Sequence, residues 1–115
     1  MDEFQKVKQM IDNDTTLRSI ASLRTGKTLE LVMSDEFNSD GRDFSRGGGD
    51  DKFEAVQKPD ESNQGLQFYN SSSDYVTTSD GSLRIMTKAV KTSWVEWNFD
   101  TQSPITRTKN YTSGR

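Results

Sequence analysis

The chain has 115 residues, a net charge of −3 and neither cysteine nor histidine. Its length allows one small domain. Without cysteine it can form neither a disulfide framework nor a thiolate zinc site, and without histidine it lacks the usual general base and the commonest metal ligand. The mild acidity leaves no basic patch, which argues against nucleic-acid binding.

Apolar residues are scarce, since Ile, Leu, Val and Phe make up about a fifth of the chain, near the level at which disorder sets in. The low net charge and the alternating aromatic runs argue against full disorder. We therefore expect a chain that borrows part of its core from a partner chain or a missing half-domain. No apolar run reaches the length of a signal or transmembrane segment, so we expect a soluble protein or a targeting segment upstream.

The first 25 residues show the 3.6-residue period of two short amphipathic helices. Asp14 or Thr15 can cap the second helix, and Gly26 can close it. The sequence therefore predicts a helical lead-in or linker over residues 1–27, followed by a β domain over residues 28–115. The apolar stripe of the first helix is Phe4, Val7, Met10 and Ile11, and that of the second is Leu17, Ile20, Ala21 and Leu23.

From residue 29 the apolar period changes to 2, which is typical of β-strands. Asp80-Gly81 lies between two alternating segments and predicts a hairpin turn. Several short strands without helical patterns between them favour a β-sandwich or barrel over βαβ units. The predicted strands are 29–33, 53–56, 66–70, 75–78, 82–90 and 93–100, with a last short pairing around 105–112.

Glu96 and Asp100 share a predicted strand face with Trp94. They are the residues of the chain that most resemble a sugar site, in which a pair of carboxylates lies beside an aromatic ring. A retaining glycosidase needs two carboxylates about 5 Å apart, and neither Glu-x-Asp-x-Glu nor Glu-x-Asp-x-x-Glu occurs in the chain. We interpret the Glu96 face as a solvated one beside a buried apolar face, and adjacent acids such as Asp60-Glu61 as loop charge. The opposite face would carry Val95, Trp97 and Phe99.

Three N-glycosylation sequons occur, at Asn13, Asn70 and Asn110. This is slightly more than chance predicts for a chain so rich in Ser and Thr, and it hints at a lumenal or extracellular protein. We take Asn70 and Asn110 as candidate glycosylation sites.

Four segments in this order resemble glycoside hydrolase family 16, in particular its branch associated with β-1,6-glucan synthesis in fungi, with relatives in oomycetes and diatoms. The first and most specific segment contains Ser34-Asp35-Glu36-Phe37-Asn38, followed by Gly41-Arg42. The other three segments support the resemblance through their order and spacing. They are Asn63–Tyr69, Thr77–Ile85 and Tyr111–Gly114, so that the resemblance covers residues 29–114.

The resemblance implies a concanavalin-like jelly-roll sandwich, present here in part, with a sugar-binding cleft on its concave face. It also implies a retaining mechanism in which one Glu attacks the sugar, a second Glu acts as acid and then base, and an Asp assists. The family places these three residues on a strand beyond residue 115, so no catalytic residue is carried over to this chain.

Other site residues follow from the resemblance by position. Asn63 corresponds to a sugar-contacting position and Tyr69 to a position that lines the cleft. Arg115 corresponds to a sugar-contacting arginine of laminarinase relatives, which the glucan-synthesis branch tends to replace with an apolar residue. Glu36 and the carbonyl of Gly81 lie where some members bind a structural calcium ion, the one cofactor to consider. Phe53 departs from the family, which commonly has Trp there.

The resemblance predicts a β-glucan biosynthesis or remodelling protein, truncated before its catalytic acids and inactive alone. Its partner would be β-glucan polysaccharide, met in the secretory pathway or at the plasma membrane. Members of the branch are anchored by an upstream transmembrane segment that is absent from this chain. Two alternatives stay open: a non-catalytic carbohydrate-binding β-sandwich module, and a gene remnant that does not fold alone.

Overall fold

A computed structural model describes residues 10–115 of the chain. Over these residues the chain forms ten β-strands and no helix, so the all-β prediction is confirmed. The strands are β1 (Ser19–Ala21), β2 (Thr28–Glu30), β3 (Lys58–Pro59), β4 (Gln67–Tyr69), β5 (Val76–Ser79), β6 (Ser82–Ile85), β7 (Thr87–Lys88), β8 (Thr92–Asn98), β9 (Ser103–Lys109) and β10 (Tyr111–Ser113).

The helical lead-in is wrong wherever the structure describes it. Residues 10–27 contain no helix, and β1 pairs antiparallel with β2 so that Ile20 lies opposite Leu29. Between the strands, the Ser22 hydroxyl accepts the N–H groups of Arg24 and Thr25. An apolar stripe of two turns is too short to offset the cost of helix nucleation, whereas Ser offers the backbone a turn instead. Phe4 and Val7 lie outside the described residues.

The hairpin predicted at Asp80-Gly81 is confirmed. Strands β5 and β6 pair antiparallel from Val76–Ile85 to Ser79–Ser82. Asp80 and Gly81 both have positive φ, 53° and 72°, as the two central residues of a type I′ turn require.

The central sheet has four short strands in the spatial order β3, β4, β10 and β7. Strand β10 runs parallel to β4 and antiparallel to β7. Thr112 in β10 is fully buried, and its hydroxyl bonds to the Val90 carbonyl and the Thr92 hydroxyl, both at 2.8 Å. A Cβ at Gly114 would collide with the backbone of Tyr75, so this glycine lets the end of β10 pack closely against the start of β5.

The Ser34–Asn38 motif is fixed by ion pairs. The Arg42 guanidinium donates to Asp35 at 2.7 Å and to Asp50 at 2.9 Å, and all three side chains are largely buried. Its carbon also lies 5.1 Å from the centroid of the Phe44 ring, a cation–π distance. The motif therefore holds together the loops that cover Phe44, the most buried apolar residue.

Strands β8 and β9 form a two-stranded ribbon of seven residues each. The predicted alternation is correct, because Trp94 and Glu96 lie on one face and Val95 and Trp97 on the other. The predicted burial is reversed. The half-buried face carries Trp94 and Glu96, whereas Val95 is 67% exposed and Trp97 49%.

The described strands form four small open sheets. The radius of gyration is 19.2 Å, against about 13 Å for a compact domain of this length. The buried apolar cluster is small, comprising Phe44, Ala55 and Val76. Residues 10–115 thus confirm the β class, while a jelly-roll sandwich is not seen among them.

Candidate functional site

A cleft of about 390 Å³ lies between the turn at residues 60–65 and the half-buried face of the β8–β9 ribbon. One aromatic ring and several charged side chains face it. Its lining residues are Pro59, Asp60, Glu61, Gln64, Trp94, Glu96, Arg107, Thr108 and Lys109.

Trp94 forms the aromatic part of the cleft. Its ring packs on Phe68 of the central sheet, with centroids 5.3 Å apart. The indole N–H donates to Oε2 of Glu96 at 3.2 Å, and Nε of Arg107 donates to Oε1 of the same carboxylate at 2.6 Å. Arg107 and then Trp94 lower the pKa of Glu96. Glu96 is therefore a fixed carboxylate at neutral pH rather than a proton donor.

Asp60 organises the opposite wall. The Ser62 backbone N–H and hydroxyl donate to its Oδ1 at 2.9 and 2.7 Å. The Gln67 side-chain amide and the Tyr69 hydroxyl donate to its Oδ2 at 2.9 and 3.1 Å. A carboxylate has about four acceptor sites, so these four donors saturate it. Ser62 contributes most to the lowered pKa of Asp60, with further contributions from Tyr69 and the charge of Arg115.

Lys109 joins the two walls. Its ammonium, at the end of β9, donates to the carbonyl of Asp60 at 3.1 Å and to the carbonyl of Gly65. Both ends of the 60–65 turn are thereby tied to the ribbon, which fixes the width of the cleft.

The three residues predicted to contact sugar or line the cleft lie around this turn. Asn63 is exposed within it, and the guanidinium of Arg115 lies 5.3 Å from the centroid of the Tyr69 ring. Tyr69 is only 9% exposed and lies behind Asp60, to which its hydroxyl donates. The structure thus brings Tyr69 and Arg115 into contact and holds Asn63 in the adjoining turn; their roles stay predictions.

The predicted calcium ligands lie elsewhere. The Glu36 carboxylate accepts the Thr15 hydroxyl at 2.6 Å, and Gly81 occupies the β5–β6 turn. Within residues 10–115, no three acidic side chains are grouped as ligands for a metal ion. The calcium site stays a prediction.

The two candidate glycosylation sites differ in exposure. Asn110 is exposed in the link between β9 and β10. Asn70 is half-buried, and its side-chain oxygen accepts the Ser72 amide at 2.8 Å. Modification of both residues stays a prediction.

Residues 1–101 match the family described as beta-glucan synthesis-associated protein SKN1/KRE6/Sbg1. The chain belongs to this family. Comparison with the curated proteins and with the solved structures finds no match. Membership in the SKN1/KRE6/Sbg1 family bears out the β-glucan synthesis part of the resemblance.

The family match includes one wall and the aromatic part of the cleft. Asp60, Gln64, Trp94 and Glu96 fall inside residues 1–101, whereas Arg107 and Lys109 at the end of β9 lie beyond them. No helix in the described part of this family member is long and apolar enough to cross a membrane.

The sequence pattern does not reveal Asp60 as the residue that organises the cleft. It assigns Asp60 to loop charge and Glu96 to a solvated strand face. A usable signal is the spacing Asp-x-Ser-x-x-Gly, which occurs at residues 43–48 and again at 60–65. An Asp that bonds the backbone two residues later is a recognised turn former. The partners of Lys109 have no such signal, because Asp60 and Gly65 lie 49 and 44 residues away along the chain.

Proposed function

We propose that this chain binds a neutral β-glucan in the cleft, as a β-glucan synthesis or remodelling protein of the glycoside hydrolase family 16 type. The observation that carries the proposal is the position of Trp94. Its indole rests on Phe68, is held by Glu96, and faces the 60–65 turn across the cleft. Membership in a β-glucan synthesis-associated family supports β-glucan as the ligand class.

A sugar ring presents apolar C–H faces and a rim of hydroxyls. A ligand site suits it when a fixed aromatic surface is combined with a few oriented polar groups. Trp94 supplies the surface, and the polar residues of the turn and of β9 supply the rim. Packing against Phe68 and the bond to Glu96 hold the indole in place, so little conformational entropy is lost on binding.

The paired charges of the cleft favour a neutral ligand over an anionic one. Arg107 is paired with Glu96, the Lys109 ammonium is occupied by carbonyls, and the Asp60 carboxylate is saturated by four donors. An anionic ligand would have to displace these partners, whereas a neutral glucan leaves them intact.

The bonded carboxylates Glu96 and Asp60 are suited to shaping a binding cleft rather than to donating a proton. A retaining pair needs one carboxyl group that is protonated and able to give up its proton, whereas Glu96 and Asp60 both have lowered pKa values. This observation also favours the second candidate function, a non-catalytic carbohydrate-binding module. In either case we expect no release of reducing ends from laminarin or β-1,6-glucan.

The proposal includes a location. A protein acting on wall or storage β-glucan would meet it in the secretory pathway or at the plasma membrane, and N-glycosylation at Asn70 and Asn110 would agree with this. Mass spectrometry of the protein isolated from its native source, with and without glycosidase treatment, tests the modification. An unchanged mass would argue against it.

Calorimetric titration of the chain with laminarin and β-1,6-glucan oligosaccharides tests the binding. We expect Trp94→Ala to weaken the affinity by about tenfold or more, since the stacking surface is lost. Trp94→Phe, which keeps an aromatic ring against Phe68, should lose less. Trp97→Ala is the matched control, because Trp97 lies on the other face of β8 and should leave the affinity unchanged. Equal losses for Trp94→Ala and Trp97→Ala would refute the proposed site.

A further inference from the structure

Two turns of the chain share one geometry, at residues 43–48 and 60–65. In each, the Ser amide and hydroxyl donate to the Asp two residues earlier, and the final Gly amide donates to the Ser carbonyl. A Cβ on the final glycine would lie 2.6 Å from the Asp43 side chain in the first turn and 2.5 Å from that of Asp60 in the second. The glycine is therefore required at this position in both turns.

The turns differ at the residue before that glycine, where the backbone is left-handed. The first turn has Gly47 there, with a φ of 88°. The second has Gln64 with a φ of 56°, preceded by Asn63 with a φ of 49°. Two consecutive side chains are thus held in a conformation that disfavours L-residues and that glycine adopts freely.

The strained side chain faces the cleft. Gln64 is part of the lining opposite Trp94 and also lines the adjoining hollow beside Lys109 and Tyr111. Its side chain is exposed, and in residues 10–115 no protein group donates to or accepts from its amide. The surroundings maintain this backbone strain, and no hydrogen bond from the side chain to residues 10–115 offsets it. We take such strain as a sign that the side chain has a functional use.

We propose that Gln64 is a ligand-contacting residue of the cleft, whose amide bonds the hydroxyl rim of a bound glucan ring. The inference rests on the proposed function and names a residue that makes the specific polar contact. A carboxamide carries donors and an acceptor side by side, which suits neighbouring hydroxyls that each donate and accept.

Asp60 is the positioning residue for this contact. Its carboxylate has no free acceptor site for a sugar, since Ser62, Gln67 and Tyr69 occupy it. It shapes the turn from inside, while Lys109 holds the carbonyls of Asp60 and Gly65 from the ribbon side. The left-handed backbone at Gln64 is thereby fixed before the ligand arrives.

Replacing Gln64 with glycine separates the effect of backbone strain on Tm from the effect of the side-chain contact on affinity. Gln64→Gly relieves the left-handed backbone and removes the amide, so we expect an unchanged or higher Tm together with about a tenfold loss of affinity for laminarin or β-1,6-glucan oligosaccharides. Gln102→Gly is the matched control. Gln102 has a φ of 55° in the turn between β8 and β9, outside the cleft lining, and its substitution should leave the affinity unchanged.

The affinity and the Tm of these variants decide whether Gln64 contacts the ligand. Affinity at the wild-type level in Gln64→Gly overturns the inference alone, and a lower Tm in that variant contradicts the strain on which it rests. A wild-type chain that binds neither oligosaccharide overturns the proposed function and this inference together. Gln64→Asn provides a second variant, because Asn tolerates the left-handed region but carries a shorter amide. It should keep its Tm and lose affinity.

Discussion

Single carboxylates decide how the loops of this chain are held. Asp50 receives the Arg42 guanidinium and the amides of Lys52 and Phe53, and Asp60 is saturated in the same manner. Neither residue belongs to a strand, and the sequence pattern assigns both to loops. Their role depends on donors that the fold brings to them, so residue type alone could not reveal it.

Stability should depend on acid pH through Asp50. Burial opposes its ionisation, but the bonds from Arg42, Lys52 and Phe53 outweigh burial and lower its pKa. A carboxyl with a lower pKa in the folded chain adds stability above its unfolded pKa of about 3.9, and that stability is lost as the pH falls towards the folded value.

We therefore expect the free energy of unfolding in urea to fall as the pH is lowered from about 5 to below 4. In Asp50→Asn the decline should be smaller, because the bonded group no longer titrates. Parallel pH profiles for the variant and the wild-type chain would contradict this role of Asp50.

At the scale of the elements, the period of the sequence predicted which residues share a face but not which face is buried. In β8 the alternation is correct, yet Trp94 and not Trp97 packs against the sheet. The choice is made by Phe68 of β4, which lies 26 residues earlier in the chain than Trp94. The parallel pairing of β4 with β10 is likewise a contact between distant segments, which no local pattern encodes.

Element by element, local turn chemistry was the most reliable guide. Asp80-Gly81 predicted its hairpin, because both positions accept positive φ. Residues 17–23 misled, because a stripe this short fits a helix and a strand–turn–strand equally well. Local patterns were also insufficient for the cleft. Asn63, Tyr69 and Arg115 were predicted as site residues from the family resemblance, whereas the hydrogen bonds of Asp60 beside them were not predicted.

Buried hydroxyls of β10 give a prediction at this scale. Thr112→Val keeps the shape but leaves the Val90 carbonyl and the Thr92 hydroxyl without their partner. We expect a loss of about 1–3 kcal/mol in the free energy of unfolding. Val95→Thr on the exposed face of β8 is the control and should change it by less than about 0.5 kcal/mol. Similar costs for both substitutions would argue against the burial assigned to β10.

For the molecule as a whole, the open sheets leave much apolar surface exposed. Large side chains on β6 and β8 are exposed, including Ile85 at 54% and Trp97 at 49%. The low apolar content of the sequence led us to expect a core shared with a partner chain or another half-domain. The exposed apolar side chains agree with that expectation. The order of the motifs was enough to indicate the β-glucan synthesis family, because several weak motifs in a fixed order are together more specific than any one of them.

We propose that β-glucan binds on the Trp94 side of the ribbon. The chain has two tryptophans, one on each face of β8, so a proton–nitrogen correlation spectrum reports each face through one indole signal, assigned with the Trp97→Phe variant. Titration with laminarin or β-1,6-glucan oligosaccharides should shift the Trp94 signal in a saturable manner and leave the Trp97 signal in place. A shift confined to Trp97, or no shift of either signal, would contradict binding at Trp94.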